Sequence, residues 1–434
     1  MSASGARRPA PRMTAAFVAF RNRSFRWHWF STLGSFSAMQ MQTVALGILG
    51  WKLSGSYAVV GILQAAFAIP MAIFALPGGA MVDRIEKRRV VVLSQTVLGV
   101  IGVTIAVLVH ADLITVLLLF VGGAIQGALF SVNGPARTAL LSEIVTTEEL
   151  PAAMSMQNIA MNGTRVVGPA LAGILIALVS VHGAYYATAA LYLGTVWAIL
   201  HVPPTSAHEG RARRPIISEV RAGLGYVFGH PLLRSLMLSG LAVALFIMPY
   251  QVMLPGFAAS LGHEELFGAM IAVSGVGGLI GSFSAALAAQ SNRKPYVQFI
   301  LGLCAGGSLI ALGTLPLAIG PAGAFLALAA IGAFSTAYMT LNQTMLMVEC
   351  DPAYRGRVMS IAMLTFSAMP LMALPLGVLA DAIGGSRTFM AQGIVVFIAM
   401  IALAVANRAH TFGGRPAPTA VASEPTEAVP GTSA

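Results

Sequence analysis

Charge is what this sequence has least of. Only 9% of its 434 residues are Asp, Glu, Lys or Arg, while 57% are hydrophobic. A soluble domain carries about 25% charged residues. Mean hydropathy is +0.81, which excludes a soluble globular domain and marks an integral membrane protein. Acidic residues are scarcer than basic ones, 15 against 25. None falls at the centre of an apolar run: Asp112, Glu264, Glu265 and Asp381 flank such runs, and Glu143, Glu349 and Asp351 lie between them. A membrane site for a cation needs a carboxylate, so a cationic ligand is not expected. There are two cysteines, Cys304 inside an apolar run and Cys350 in a loop, with neither a disulfide framework nor metal-ligand spacing. No phosphate-loop lysine motif or nucleophile–base constellation occurs. The sequence therefore predicts no enzyme, no cofactor and no metal.

What is present is a series of membrane-length runs. A span needs about 20 apolar residues, and twelve candidates occur: 27–50, 56–80, 90–110, 113–132, 152–178, 183–201, 232–257, 265–289, 296–318, 321–344, 357–380 and 386–406. The predicted organisation is a basic N-terminus (1–26), a six-helix bundle (27–201), a linker (202–231), a second six-helix bundle (232–406) and a tail (407–434) rich in Pro, Ala, Thr, Ser and Gly. The first 24 residues hold five arginines and no apolar core with a cleavage site. No cleaved signal peptide is expected.

Charge placement predicts orientation. All but three of the 25 Lys and Arg residues fall in or beside segments that share one face with both termini; the exceptions are Lys52, Arg387 and Arg165. The positive-inside rule puts that face in the cytoplasm. The same balance accounts for the net charge of +10 without nucleic acid. The halves also look duplicated. Phe25, Gly61, Leu141-Ser142-Glu143 and Gly168-Pro169 are matched by Leu233, Gly268, Met347-Val348-Glu349 and Leu374-Pro375, each about 207 residues later. Such an offset is expected of two bundles related by a pseudo-two-fold axis normal to the membrane, able to rock about a midplane cavity.

Polar residues within spans are candidate cavity residues. Asn158, Asn162 and Arg165 recur at i, i+4 and i+7 and share a helix face. An arginine in mid-span needs a cavity or a partner. Gln40, Gln64, Gln126 and Tyr250 add polar groups from four other spans, with Phe246 one turn before Tyr250. Ser335, Tyr338 and Asn342 share a face of the tenth. For each alone, helix–helix hydrogen bonding is the competing reading.

The loop Gly79-Ala80-Met81-Val82-Asp83-Arg84-Ile85-Glu86-Lys87-Arg88-Arg89 resembles the G-x-x-x-D-R-x-G-R-R signature of the major facilitator superfamily, with Glu86 in place of a glycine. Gly168-Pro169-Ala170-Leu171-Ala172-Gly173 resembles an exporter element of that family. Gly134-Pro135-Ala136-Arg137, Asn158, Asn162, Arg165 and, later, Leu341-Asn342-Gln343-Thr344 with Arg355-Gly356-Arg357 resemble the branch holding the enterobactin exporter and macrolide-efflux proteins. The resemblance implies the major facilitator fold. It implies a cavity lined by the first, fourth, seventh and tenth helices. It assigns gating roles to Gly79, Asp83, Arg84, Arg88, Gly168, Pro169, Arg355 and Arg357. Asp83 would face the N-terminus of the eleventh helix and latch one conformation.

The function expected is secondary active efflux by alternating access in a bacterial inner membrane, with protons as coupling ion. The cargo would be a small amphiphilic anionic or neutral compound, such as a siderophore or antibiotic, and the protein a monomer in the lipid bilayer. The alternatives are a proton-coupled uptake symporter and a non-transporting membrane sensor.

Overall fold

The computed structural model describes residues 17–408 apart from 147, 205–223, 264–265, 289–290, 292, 352–353, 355–357, 359–360 and 363–368; for 75–84, 151, 162, 166, 177, 286 and 369–371 it describes the backbone alone. Among the described residues there are helices and connecting turns and no strand. The first half comprises α1 (Arg23–Ser54), α2 (Tyr57–Arg84), α3 (Lys87–His110), α4 (Val116–Ile144), α5 (Leu150–Leu178) and α6 (Val181–Leu200). The second comprises a broken helix, α7a (Pro231–Phe246) and α7b (Tyr250–Ser260), then α8 (Phe267–Ala288), α9 (Lys294–Ile319), α10 (Pro321–Glu349), α11 (Met369–Ile383) and α12 (Gly385–Ala406).

Among the described residues ten stretches are long and apolar enough to cross a membrane, with α7a and α7b counted as one. The other two are α1, whose inner face is polar (His28, Ser31, Thr32, Ser35, Gln42), and α11, the described part of which is short. The short connections force neighbouring helices to run antiparallel. Four helix starts in the first half are capped by side chains. The Asn22 side chain accepts from the amides of Ser24 and Phe25 at 2.9 and 3.3 Å, and Ser56, Thr115 and Ser180 cap α2, α4 and α6. Gly55 closes α1 at φ +61°, returning its N–H to the Trp51 carbonyl.

The chain thus has two faces. The terminal face carries the start of α1 and the 85–86 turn; the opposite face carries Gly55, Gly320 and Gly384. Packing repeats between the halves: α2 lies on α4 as α8 lies on α10, and α3 on α6 as α9 on α12. The two bundles meet through α2 with α11 and α5 with α8. These pairs exchange under the repeat, as a pseudo-two-fold axis requires. The close approaches between halves gather toward the opposite face. A Cβ on Gly61 would lie 2.6 Å from the Ala373 carbonyl, and one on Gly173 would lie 2.7 Å from Gly268.

Candidate substrate pathway and gates

Helix α5 carries the most informative surface. Ser155, Asn158 and Arg165 are exposed on one side of it, and Ile159, Val167, Ile174 and Leu178 on the other. The two directions between which the polar side falls are fixed by glycines. Gly168 faces Gln40 of α1, and Gly173 faces α8 of the other half. At about 100° per residue the polar stripe points between them, into the space between the bundles. The apolar side points outward, as a lipid-facing side does. Arg165 makes no hydrogen bond or ion pair with any described residue. One turn on, Pro169 has no N–H, so the Arg165 carbonyl also lacks its helical partner. The stripe therefore offers donors at the guanidinium and an acceptor beside it.

Nearer the opposite face a small cavity of about 60 Å³ lies between the halves. Thr43 and Gln64 contribute from the first half, and Gln251, Phe267, Ile271 and Ala373 from the second. The break at Ile247–Pro249 turns Gln251 toward it, and Pro255 leaves the Gln251 carbonyl without its helical donor. Its polar groups are amides and a hydroxyl, and none of the described side chains lining it is charged.

The structure distributes the other sequence candidates as follows. Gln64 lines this cavity and Gln40 packs on Gly168. The side chain of Asn162 is outside the described residues. Gln126 is buried in the first bundle, donating to Gln42 at 2.8 Å and Tyr192 at 3.3 Å. Tyr250 bonds Ser274 at 2.5 Å, and Phe246 packs against the central core. Ser335, Tyr338 and Asn342 do share a face, but all three are buried. Ser335 donates to its own helix, and Asn342 accepts from Gln298 at 2.6 Å. That face of α10 looks into its own bundle rather than into the space between the halves: Asn342 meets Gln298 of α9 and packs on Gly240 of α7a.

Of the gate candidates, Asp83 and Arg84 occupy the last turn of α2 and Gly79 the turn before; their side chains are not described, and Arg355 and Arg357 lie outside the described residues. Arg88 donates to the Leu200 carbonyl at the end of α6 (2.7 Å). Lys87 pairs with Glu143 at 3.4 Å. These basic residues thus tie α3 to α6 and α4 within the first bundle.

Four residues were absent from the candidates. Thr43 and Gln251 carry no signal beyond being polar in a span. Arg137 is 1% exposed and lies in α4, donating to Asn133 at 2.9 Å and Ser31 at 3.0 Å. Asp381 crosses the bundle interface. It accepts from the Tyr57 amide at 2.8 Å, the Ala58 amide at 3.0 Å and the Ser56 hydroxyl at 2.6 Å. Its helix-end position was legible; its partner was not.

The sequence profile of the Major Facilitator Superfamily matches residues 29–373. This chain belongs to the major facilitator superfamily. It is 23% identical over 354 residues to the staphyloferrin A transporter of Staphylococcus aureus, spanning 80% of this chain and 87% of that protein. It is 26% identical over 383 residues to the multidrug efflux pump Tap of Mycolicibacterium fortuitum (85% and 92%). It is 26% identical over 333 residues to the enterobactin exporter EntS of Shigella flexneri (74% and 78%). The fold matches the crystal structure of a bacterial homologue of the human lysosomal transporter Spinster, in an inward-facing and occupied conformation. The TM-score is 0.69 at 14% identity, over 92% of this chain and 99% of that one. As a superfamily member it is a multi-pass membrane transporter of small molecules.

Proposed function

We propose that this transporter is a proton-driven exporter in a bacterial inner membrane, with both termini in the cytoplasm. Its cargo is a small amphiphile, anionic or neutral, of the siderophore or antibiotic kind. The observation that carries this reading is the α5 stripe: an exposed, unpartnered Arg165 facing the space between bundles that close on each other at the opposite face. An arginine kept in a span at a cost of a few kcal/mol suits an anionic group entering from the cytoplasm. The names of the relatives, a siderophore transporter and exporter and a multidrug pump, favour export over uptake. The positive-inside rule supports the orientation.

The test compares culture supernatant and cell extract of a deletion strain with its complement, in iron-poor and iron-rich medium, beside a macrolide panel. Cargo should stay in cells lacking the transporter, and Arg165→Ala should cut export by about tenfold or more at unchanged membrane abundance. Normal export by that variant would remove Arg165 from the pathway. Energy-dependent accumulation inside cells that carry the transporter would reverse the direction.

A further inference from the structure

We infer that Asp381 is the latch that holds the gate shut at the opposite face. The inference rests on the alternating-access reading above. Asp381 lies outside the superfamily signature.

The geometry is specific. Asp381 sits in the last turn of α11, in the second half. Its two oxygens accept from Ser56, Tyr57 and Ala58 at the start of α2, in the first half. The first amides of a helix have no internal partner and carry its positive dipole end. A carboxylate placed there from another bundle is a charge-assisted bond that exists only while the bundles touch. Ser56 serves both sides: its hydroxyl donates to Asp381 and accepts the Val59 amide as the cap of α2.

The surroundings are built for closure. Tyr57 is 6% exposed and stacks at a tilt on Trp51, ring centres 4.7 Å apart. Glycines of the second half admit this aromatic pair. A Cβ on Gly256 would lie 2.5 Å from each ring, and one on Gly377 would lie 2.5 Å from the Tyr57 carbonyl. Polar latch and aromatic plug therefore occupy one junction and part together when it opens.

The experiment uses the full chain, with Cys304 and Cys350 replaced, in lipid nanodiscs. Spin-label pairs report each face: Leu117 with Leu317 at the opposite face, and Ser142 with Met347 at the terminal face. Asp381→Ala should raise the ratio of opposite-face-open to closed molecules about tenfold, with a matching shortening at the terminal face. Ser56→Ala, which removes one of the three bonds, should move both distances the same way by a smaller factor. A variant that merely loosened the fold would broaden both distributions without exchanging them, and that result would overturn the latch. So would wild-type populations in both variants. If no condition, including added cargo or a pH step, moves either pair in the parent protein, alternating access itself fails.

Discussion

The two bundles share a layout but are held together differently. The interior of the first is wet with side chains. Gln95 donates to Ser35 at 2.8 Å and accepts from Thr195 at 3.0 Å. Asn133 bridges Ser94 and Arg137, and His28 meets Gln157 at 3.2 Å. These groups link α1, α3, α4, α5 and α6. The second bundle relies on close backbone approach. A Cβ on Gly277, Gly281 or Gly332 would lie 2.0–2.1 Å from a carbonyl of the facing helix in the α8–α10 pair. In the corresponding α2–α4 pair, Gly127 makes such an approach, whereas a Cβ on Gly123 would meet nothing nearer than 3.6 Å. Lipid tails are as apolar as leucine, so helices in a bilayer are held by packing and by hydrogen bonds. One repeat unit has drawn on each.

The largest effect that would break this comparison is at Arg137. Arg137→Ala opens a cavity and strips the Asn133 and Ser31 oxygens of their donor, and should cost about 3–5 kcal/mol. Thermal unfolding of the purified protein reads this directly. Arg137→Met should recover part of the loss, since it removes a desolvated charge while refilling the space. A mild Arg137→Ala variant would show that the polar interior is dispensable.

A middle-sized effect separates two glycines. Gly281→Ala forces α8 off α10 and should cost about 1–3 kcal/mol. Gly123→Ala, in ordinary contact with its neighbours, should leave the melting temperature within a degree or two. Equal costs would mean that the halves pack alike. The smallest effect lies in one polar contact of the second bundle, between Gln298 and Asn342. A double-mutant cycle on Gln298 and Asn342 should return a coupling of about 0.6 kcal/mol. A value several times larger would place a polar network there as well.

Much of the fold could be read from hydropathy, because a bilayer admits few alternatives to apolar helices of fixed length. The boundaries could not, since helices run past the membrane into water. The fourth apolar run, 113–132, ends well before α4 does at Ile144. For that reason Arg137 reads as a loop charge in the sequence and is buried in the structure. Lys87, in the superfamily signature, is buried likewise, at 4% exposure beside Glu143. Helical spacing placed Ser335, Tyr338 and Asn342 on one face, but spacing is silent about which neighbour a face meets. In α5 the same spacing pointed to an exposed stripe, because that helix borders the other half and α10 is wrapped by its own. Asp381 was visible as a helix-end acid; its partner lies more than 300 residues away, beyond the reach of any local pattern.

All four tryptophans, Trp27, Trp29, Trp51 and Trp197, belong to the first half. Trp27 stacks on His201 and meets Trp197 edge to face, and the indole of Trp29 donates to the Met156 carbonyl. These three sit within the first bundle, away from its partner. Trp51 alone leans on the seam between bundles, against Tyr57 and the bare backbone of Gly256. The transporter therefore contains its own optical reporter. Any movement that separates α1 from α7b wets one indole and leaves the other three as a constant background.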